Sequence, residues 1–419
     1  MKIVTGTVLY ISFLFVFASC NSGSAEKGEK NQKDSVTRKP AFIGEITFAD
    51  SVRLHKDIAA FYQKYFLRRG FNGAILVAKN GHVVFEDYNG SFNLLKKDTL
   101  TEHSPFHLAS VSKTFTAMAV VKLNEMGKVN FGDDIRRFFP SLPYENITVH
   151  DLLTHRSALP NYIYFMHELG WDEKMKCTND DVLDYIIKFQ PPLQGTPGKH
   201  FTYCNTNYSL LALIIEKASG MDYPDFLEKY FFQPLDMEDT YVYDVGDSAT
   251  AMPSFDWRGR MEGATYLDYG YGDKNIYSTP RDLLKWDQAL YSNKLFKPEM
   301  MEAAYTPYSN EKPGVRNYGY GWRMNVYPDG RKIIYHNGWW HGNNTVFIRM
   351  IQDSVTIIVL GNKYNRAIYD ARKMIPIFEP SLELDDSEHP RGKQEDMNNE
   401  NPADSTSAHT SDSSTIGKR

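Results

Sequence analysis

Ser110 and Lys113 lie in the stretch Ala109-Ser110-Val111-Ser112-Lys113-Thr114-Phe115, ahead of the apolar run Thr116 to Leu123, which reads as helix. Residues three apart share one helix face, so the hydroxyl and the amine are one turn from each other. A serine hydroxyl is a poor nucleophile until a base removes its proton. A lysine amine does this once its pKa is depressed, and burial in an apolar helix pushes it in that direction. The first turn of a helix also carries unpaired N–H groups, so the amide of Ser110 is a candidate oxyanion donor. Alone, Ser-x-x-Lys is a weak signal, because solvated surface helices carry the same spacing.

Two later stretches add the partners that such a serine needs. Pro197 to Tyr208 contains Tyr203-Cys204-Asn205 and runs into the apolar helix Leu210–Ile215, offering a phenol and an amide on one side of a loop. A phenol beside a lysine ionises more easily, because the cation stabilises the phenolate. Tyr335-His336-Asn337-Gly338-Trp339 reads as a strand end where Gly338 lets a substrate backbone approach, and the amide of Trp339 is the candidate second oxyanion donor.

Ser110-x-x-Lys113, Tyr203-x-Asn205 and His336-x-Gly338, in this order, resemble the three motifs of the class C β-lactamase and penicillin-binding-protein-like serine hydrolases. Thr148–Pro160, Gln233–Thr240, Tyr277–Leu283 and Tyr318–Trp322 are similar to stretches of the same family, and the likeness runs from residue 50 to residue 378. The resemblance implies an acyl-enzyme mechanism without a cofactor. Ser110 would attack a carbonyl, Lys113 and Tyr203 would share the base work, and Asn205 would orient Lys113 and the substrate amide. The amides of Ser110 and Trp339 would hold the oxyanion. Which of Lys113 and Tyr203 is the resting base stays open, since the two would titrate as a coupled pair. True β-lactamases usually carry Lys-Thr-Gly as the third motif. His336 in place of that lysine favours an esterase or D-amino-acid peptidase over an efficient β-lactamase. A non-hydrolytic sensor that captures cell-wall peptides or β-lactams is the competing reading.

Other features frame this site. A chain of 419 residues with 42% hydrophobic and 24% charged content is an ordinary globular composition, and a net charge of −5 gives no reason to expect nucleic acid. Lys2 and the apolar run Val8–Ala18 read as an export signal, too short for the ~20 residues of a spanning helix. Ala18-Ser19-Cys20 resembles a lipobox, with Phe17 where Leu is usual, so the expectation is a protein lipid-anchored through Cys20 in the bacterial envelope. Residues 21–47 read as a flexible tether, 48–380 as the hydrolase domain, and 381–419 as a disordered polar tail. Cys177 and Cys204 are expected to be buried free thiols. His150, His155, His336 and His341 lack a ligand set at metal spacing and read as loop or core histidines. Trp339 and Trp340 fit either a core or a pocket wall.

The element pattern is α+β. Helix is expected over Asp50–Arg69, and Gly73–Lys79, Asn80-Gly81 and His82–Glu86 form a hairpin signal with a type I′ turn. Helical patterns occupy residues 105 to 290. Strands follow at Tyr318–Val326, Lys332–His336, Thr345–Ile351 and Val355–Leu360, then a last helix at Arg366–Phe378. The economical arrangement is one antiparallel sheet of about five strands built from both chain ends and flanked by the terminal helices. A mostly helical lobe completes it, with the pocket between sheet and lobe.

Overall fold

The computed structural model describes residues 44–382. The expected export signal, Cys20, most of the tether and the tail from residue 383 lie outside the described residues. In chain order the strands are β1 (Gly73–Lys79), β2 (His82–Asn89), β3 (Phe106–His107), β4 (Tyr241–Val242), β5 (Ile276–Ser278), β6 (Arg316–Tyr318), β7 (Arg323–Val326), β8 (Lys332–Trp340), β9 (Asn343–Met350) and β10 (Val355–Gly361). The helices are α1 (Phe48–Tyr65), α2 (Ser112–Glu125), α3 (Val149–Leu153), α4 (Tyr162–Glu168), α5 (Asn179–Phe189), α6 (Asn205–Ser219), α7 (Tyr223–Leu227), α8 (Pro280–Tyr291), α9 (Pro298–Ala304) and α10 (Ile375–Phe378).

The main sheet has seven strands in the order β2-β1-β10-β9-β8-β7-β6, antiparallel throughout, and β3-β5-β4 form a second small sheet. The sheet is thus wider than the five strands expected. Tyr318–Val326 does not run as one strand. It folds back at Gly319–Trp322, and the amide of Gly319 donates to the carbonyl of Trp322 at 2.8 Å. The chain ends meet where β1 pairs with β10, Gly73 opposite Gly361 and Lys79 opposite Val355. Asn80 and Gly81 both have positive φ (53° and 78°), as the type I′ turn requires.

The near-continuous apolar runs of β1 and β10 are explained by burial on both faces. Ile75, Val77, Ile357 and Val359 face Leu54, Ile58 and Tyr62 of α1 and Ile368 and Met374 of the terminal segment. Ala74, Leu76, Ile358 and Leu360 face the opposite core, shared with α2 and α6. The terminal segment Arg366–Met374 is a 3-10 helix before the short α10, so the last helix expected from the sequence is α-helical only at its end. Within the lobe, α2 is apolar on nearly every side because it is surrounded: all its residues from Ser112 to Val121 are buried.

One buried ion pair fastens the sheet to the lobe. Arg349 of β9, fully buried, bonds through Nε to Asp287 of α8 and through Nη1 to the Tyr305 hydroxyl. Thr356 of β10 donates to the other carboxylate oxygen at 2.5 Å. Removing one partner of such a pair strands the other charge in the core. Asp287→Ala is therefore expected to cost ~3–5 kcal/mol, read as a fall in the urea midpoint against wild type.

Candidate active site

Ser110 does not lie inside the long helix. It occupies a 3-10 turn, Ala109–Val111, immediately before α2, and Ala109 adopts a left-handed φ of 48°. A non-glycine residue there needs surrounding structure to hold it. That hold is visible on both sides of the turn. The Ala109 amide donates to His107 Nδ1 at 3.1 Å, and His107 Nε2 meets Asn275 Oδ1 at 2.8 Å. The Leu108 amide donates to the Ile276 carbonyl at 2.8 Å, and the Leu108 carbonyl accepts from Thr345 Oγ1 at 2.8 Å. Burial pushes the His107 imidazole down to about 4, so it is neutral and accepts through Nδ1.

Lys113, on the first turn of α2, is fully buried. Its Nζ donates to Ser110 Oγ at 2.9 Å and to the Asp273 carbonyl at 2.8 Å. Tyr203 is brought to the same place by the loop ahead of α6: its ring centroid lies 5.0 Å from Lys113 Nζ and 5.0 Å from the Arg323 guanidinium carbon. Asn205 opens α6 and is buried. The structure therefore brings together Ser110, Lys113, Tyr203 and Asn205, from segments about 90 residues apart in the chain.

The third stretch departs from expectation in position. His336 lies mid-strand in β8, which continues to Trp340, and its side chain is fully buried. Nδ1 sits 2.7 Å from the Asn337 carbonyl and so carries the proton, and Nε2 faces the Tyr318 hydroxyl at 3.3 Å. Burial, with Arg323 and Lys113 nearby, holds the imidazole well below its ordinary pKa and keeps it neutral. Gly338 has a different reason from the one expected. A Cβ there would overlap the Leu108 carbonyl oxygen and the Thr345 hydroxyl and sit 2.9 Å from Ala109 Cβ. The close approach is that of the chain's own turn at Leu108–Ser110.

Between the sheet and the lobe is a small cleft lined by Ser110, Asn205, Asp273, Lys274, Trp339 and Trp340. Both tryptophans thus wall the cleft. Trp340 is held from behind by Asp268, which accepts from its indole N–H at 2.5 Å and also meets His341 at 3.0 Å. Cys177 and Cys204 are buried free thiols; burial pushes Cys204 up to about 11, and its Sγ turns to the Leu159 carbonyl at 3.3 Å.

Sequence reasoning passed over several residues that the fold places here. His155, read as a core histidine, packs its ring 4.4 Å from that of Tyr203, and its Nδ1 accepts from the Cys204 amide at 3.2 Å and from Asn207 at 3.1 Å. Asp273, Lys274 and Arg323 stand at no motif spacing from Ser110, and only the charge pair inside the otherwise apolar and aromatic stretch Tyr269–Tyr277 could have drawn attention.

With this geometry in view, relatives can be compared. Residues 58–375 match the Beta-lactamase family model. The chain belongs to the β-lactamase family of serine hydrolases. Penicillin-binding protein 4* of Bacillus subtilis (strain 168) is 32% identical over 348 residues, covering 78% of this chain and 76% of that one. In fold, the chain is similar to a penicillin binding protein from Bacillus halodurans (TM-score 0.67, 23% identity, 76% of this chain and 98% of that one). It is also similar to a D-amino acid amidase from Ochrobactrum anthropi SV3 complexed with D-phenylalanine (TM-score 0.63, 20% identity, 78% and 98%).

Two outcomes follow from the site's construction. His107, His155 and His336 are all held neutral by burial, with folded pKa values below the unfolded ~6.5. Below that pH the unfolded chain binds more protons, so stability falls as pH drops, by up to ~1.4 kcal/mol per pH unit for each histidine. Urea midpoints are expected to fall steeply between pH 6.5 and 5. His341, raised by Asp268, acts in the opposite sense, and its stabilisation is lost only as pH rises above the ordinary histidine range. Separately, Gly338→Ala is expected to displace the nucleophile turn and slow acylation of Ser110 at least ~100-fold, the scale of losing an oxyanion donor, measured by stopped-flow with an activated ester.

Proposed function

We propose that this protein is an exported serine hydrolase that works through an acyl-enzyme on Ser110, with an ester, an amide or a D-amino-acid peptide as substrate. The observation that carries the reading is the bond from Lys113 Nζ to Ser110 Oγ at 2.9 Å, made by a fully buried amine to a hydroxyl on a residue that lines the cleft. An amine so placed takes the hydroxyl's proton as the serine attacks, then returns it, through itself or Tyr203, to the departing group. Asn205 orients the amine and a substrate amide, and the amides of Ser110 and Trp339, both on residues lining the cleft, hold the oxyanion.

The neutral, buried His336 supports an ester, amide or peptide rather than efficient β-lactam hydrolysis, because the third motif offers no cation to a substrate carboxylate. The family relationship to a penicillin-binding protein supports a cell-envelope setting. The lipobox-like Ala18-Ser19-Cys20 supports lipid anchoring through Cys20.

A fluorescent phosphonate is expected to label the wild type and to leave Ser110→Ala unlabelled. Lys113→Met is expected to slow labelling by ~10²–10⁴, the range for losing a general base, with the fold intact by circular dichroism. A panel of p-nitrophenyl esters, D-amino acid amides, D-Ala-D-Ala peptides and nitrocefin then ranks the acyl donors. Labelling without turnover of any of them would replace the hydrolase by the sensor reading.

A further inference from the structure

The cleft holds a second buried lysine that the acyl-transfer scheme leaves unused. Lys274 is 2% exposed and lines the same cleft as Ser110. Its Nζ donates to the Tyr162 hydroxyl, which donates in turn to Asp273 Oδ2 at 3.0 Å, while Nζ itself stands 3.4 Å from that oxygen. The ammonium also lies 5.0 Å from the Tyr162 ring centroid and 4.6 Å from that of Trp340.

An ammonium has three donors and no acceptor. Lys274 has two oxygen partners, one of them at a distance longer than the 2.7–2.9 Å of a charge-assisted bond. A buried cation so loosely compensated is costly to keep unless it meets a further acceptor during function. The Tyr162 and Trp340 rings shield the amine from water and strengthen a charge–charge contact, while the Asp268 carboxylate lies behind Trp340, bonded to its indole N–H.

We infer that Lys274 is the recognition cation for a carboxylate carried on the acyl part of the substrate. The side of the cleft decides which part. Proton return to the leaving group runs through Lys113 and Tyr203, and Tyr203 keeps company with Arg323 and His336, their Cζ and ring centroid 5.0 and 6.3 Å from its ring. Lys274 contacts Tyr162, the Asp273 carboxylate and Trp340, and of these Lys113 meets only Asp273, at its main-chain carbonyl. A group that reaches it from the carbonyl on Ser110 therefore extends away from the leaving group. This rests on the acyl-enzyme reading.

The test compares the p-nitrophenyl half-ester of adipic acid, with its free distal carboxylate, against that of adipamic acid, its neutral amide. Wild-type kcat/KM is expected to favour the acid by at least about tenfold. In Lys274→Met this ratio falls to near one, and in Lys274→Arg most of it is kept. A wild-type ratio at or below one overturns the inference without reference to any variant. So does a preference found instead for 4-acetoxybenzoate over 4-acetoxybenzamide, which puts the cation on the leaving-group side. Equal turnover of both adipic esters leaves the hydrolase reading standing, whereas absence of turnover together with absence of phosphonate labelling removes both.

Discussion

A lysine with no exposed surface must find its acceptors inside the protein, and Lys113 meets the Ser110 hydroxyl and the Asp273 carbonyl. Much of the structure can be read as the means of satisfying that amine. The Asp273 segment has to cross close over α6, and Gly272 allows it, with φ of +94° and no room for a Cβ against the Tyr208 backbone. The nucleophile turn has to present Ser110 from the other side. It is fixed by hydrogen bonds to the segment of β5 and to Thr345 of β9, so both sheets share in placing one hydroxyl.

The electrostatics around this amine follow from the same crowding. Lys113 and Arg323 both approach the ring of Tyr203, and both push the buried imidazoles of His155 and His336 towards neutrality. Neutral imidazoles pack against aromatic rings without the desolvation cost of a charge. His155 accordingly packs at a tilt against Tyr203 and Tyr208 and edge-on to Tyr318, while its Nδ1 pins the backbone between Tyr203 and Asn205. Histidines that look like candidate ligands or acids in the chain are here uncharged spacers that keep a phenol and an amide in register.

The sheet was largely readable because its strands carry period-2 and continuous apolar patterns that burial on one or both faces demands. Where this reading slipped, the cause was local. Gly319–Trp322 turns the chain back on itself within a stretch whose side chains look like one strand, so β6 and β7 carry no separate signal in the sequence. The second small sheet is built from pieces of two or three residues, such as Phe106–His107 and Tyr241–Val242, too short for any periodicity to appear. His336 reads as a strand end because Gly338 breaks the pattern, yet the strand runs on through it; the glycine serves the approach of Leu108.

The order and spacing of Ser110-x-x-Lys113, Tyr203-x-Asn205 and His336-x-Gly338 determined the family and the kind of chemistry, because a hydroxyl, an amine, a phenol and an amide at these spacings are recognisable by residue type. The hairpin at Asn80-Gly81 and the apolar strands determined that both chain ends join one antiparallel sheet. Only the tertiary structure decided which groups complete the cleft. Asp273 contributes a main-chain carbonyl, which leaves no trace in residue type, and Lys274 and Trp340 meet across a sheet–lobe boundary that no local pattern encodes. Burial, which encloses Lys113 beside the Ser110 hydroxyl and leaves His336 uncharged, is a property of the packed molecule and cannot be read one residue at a time.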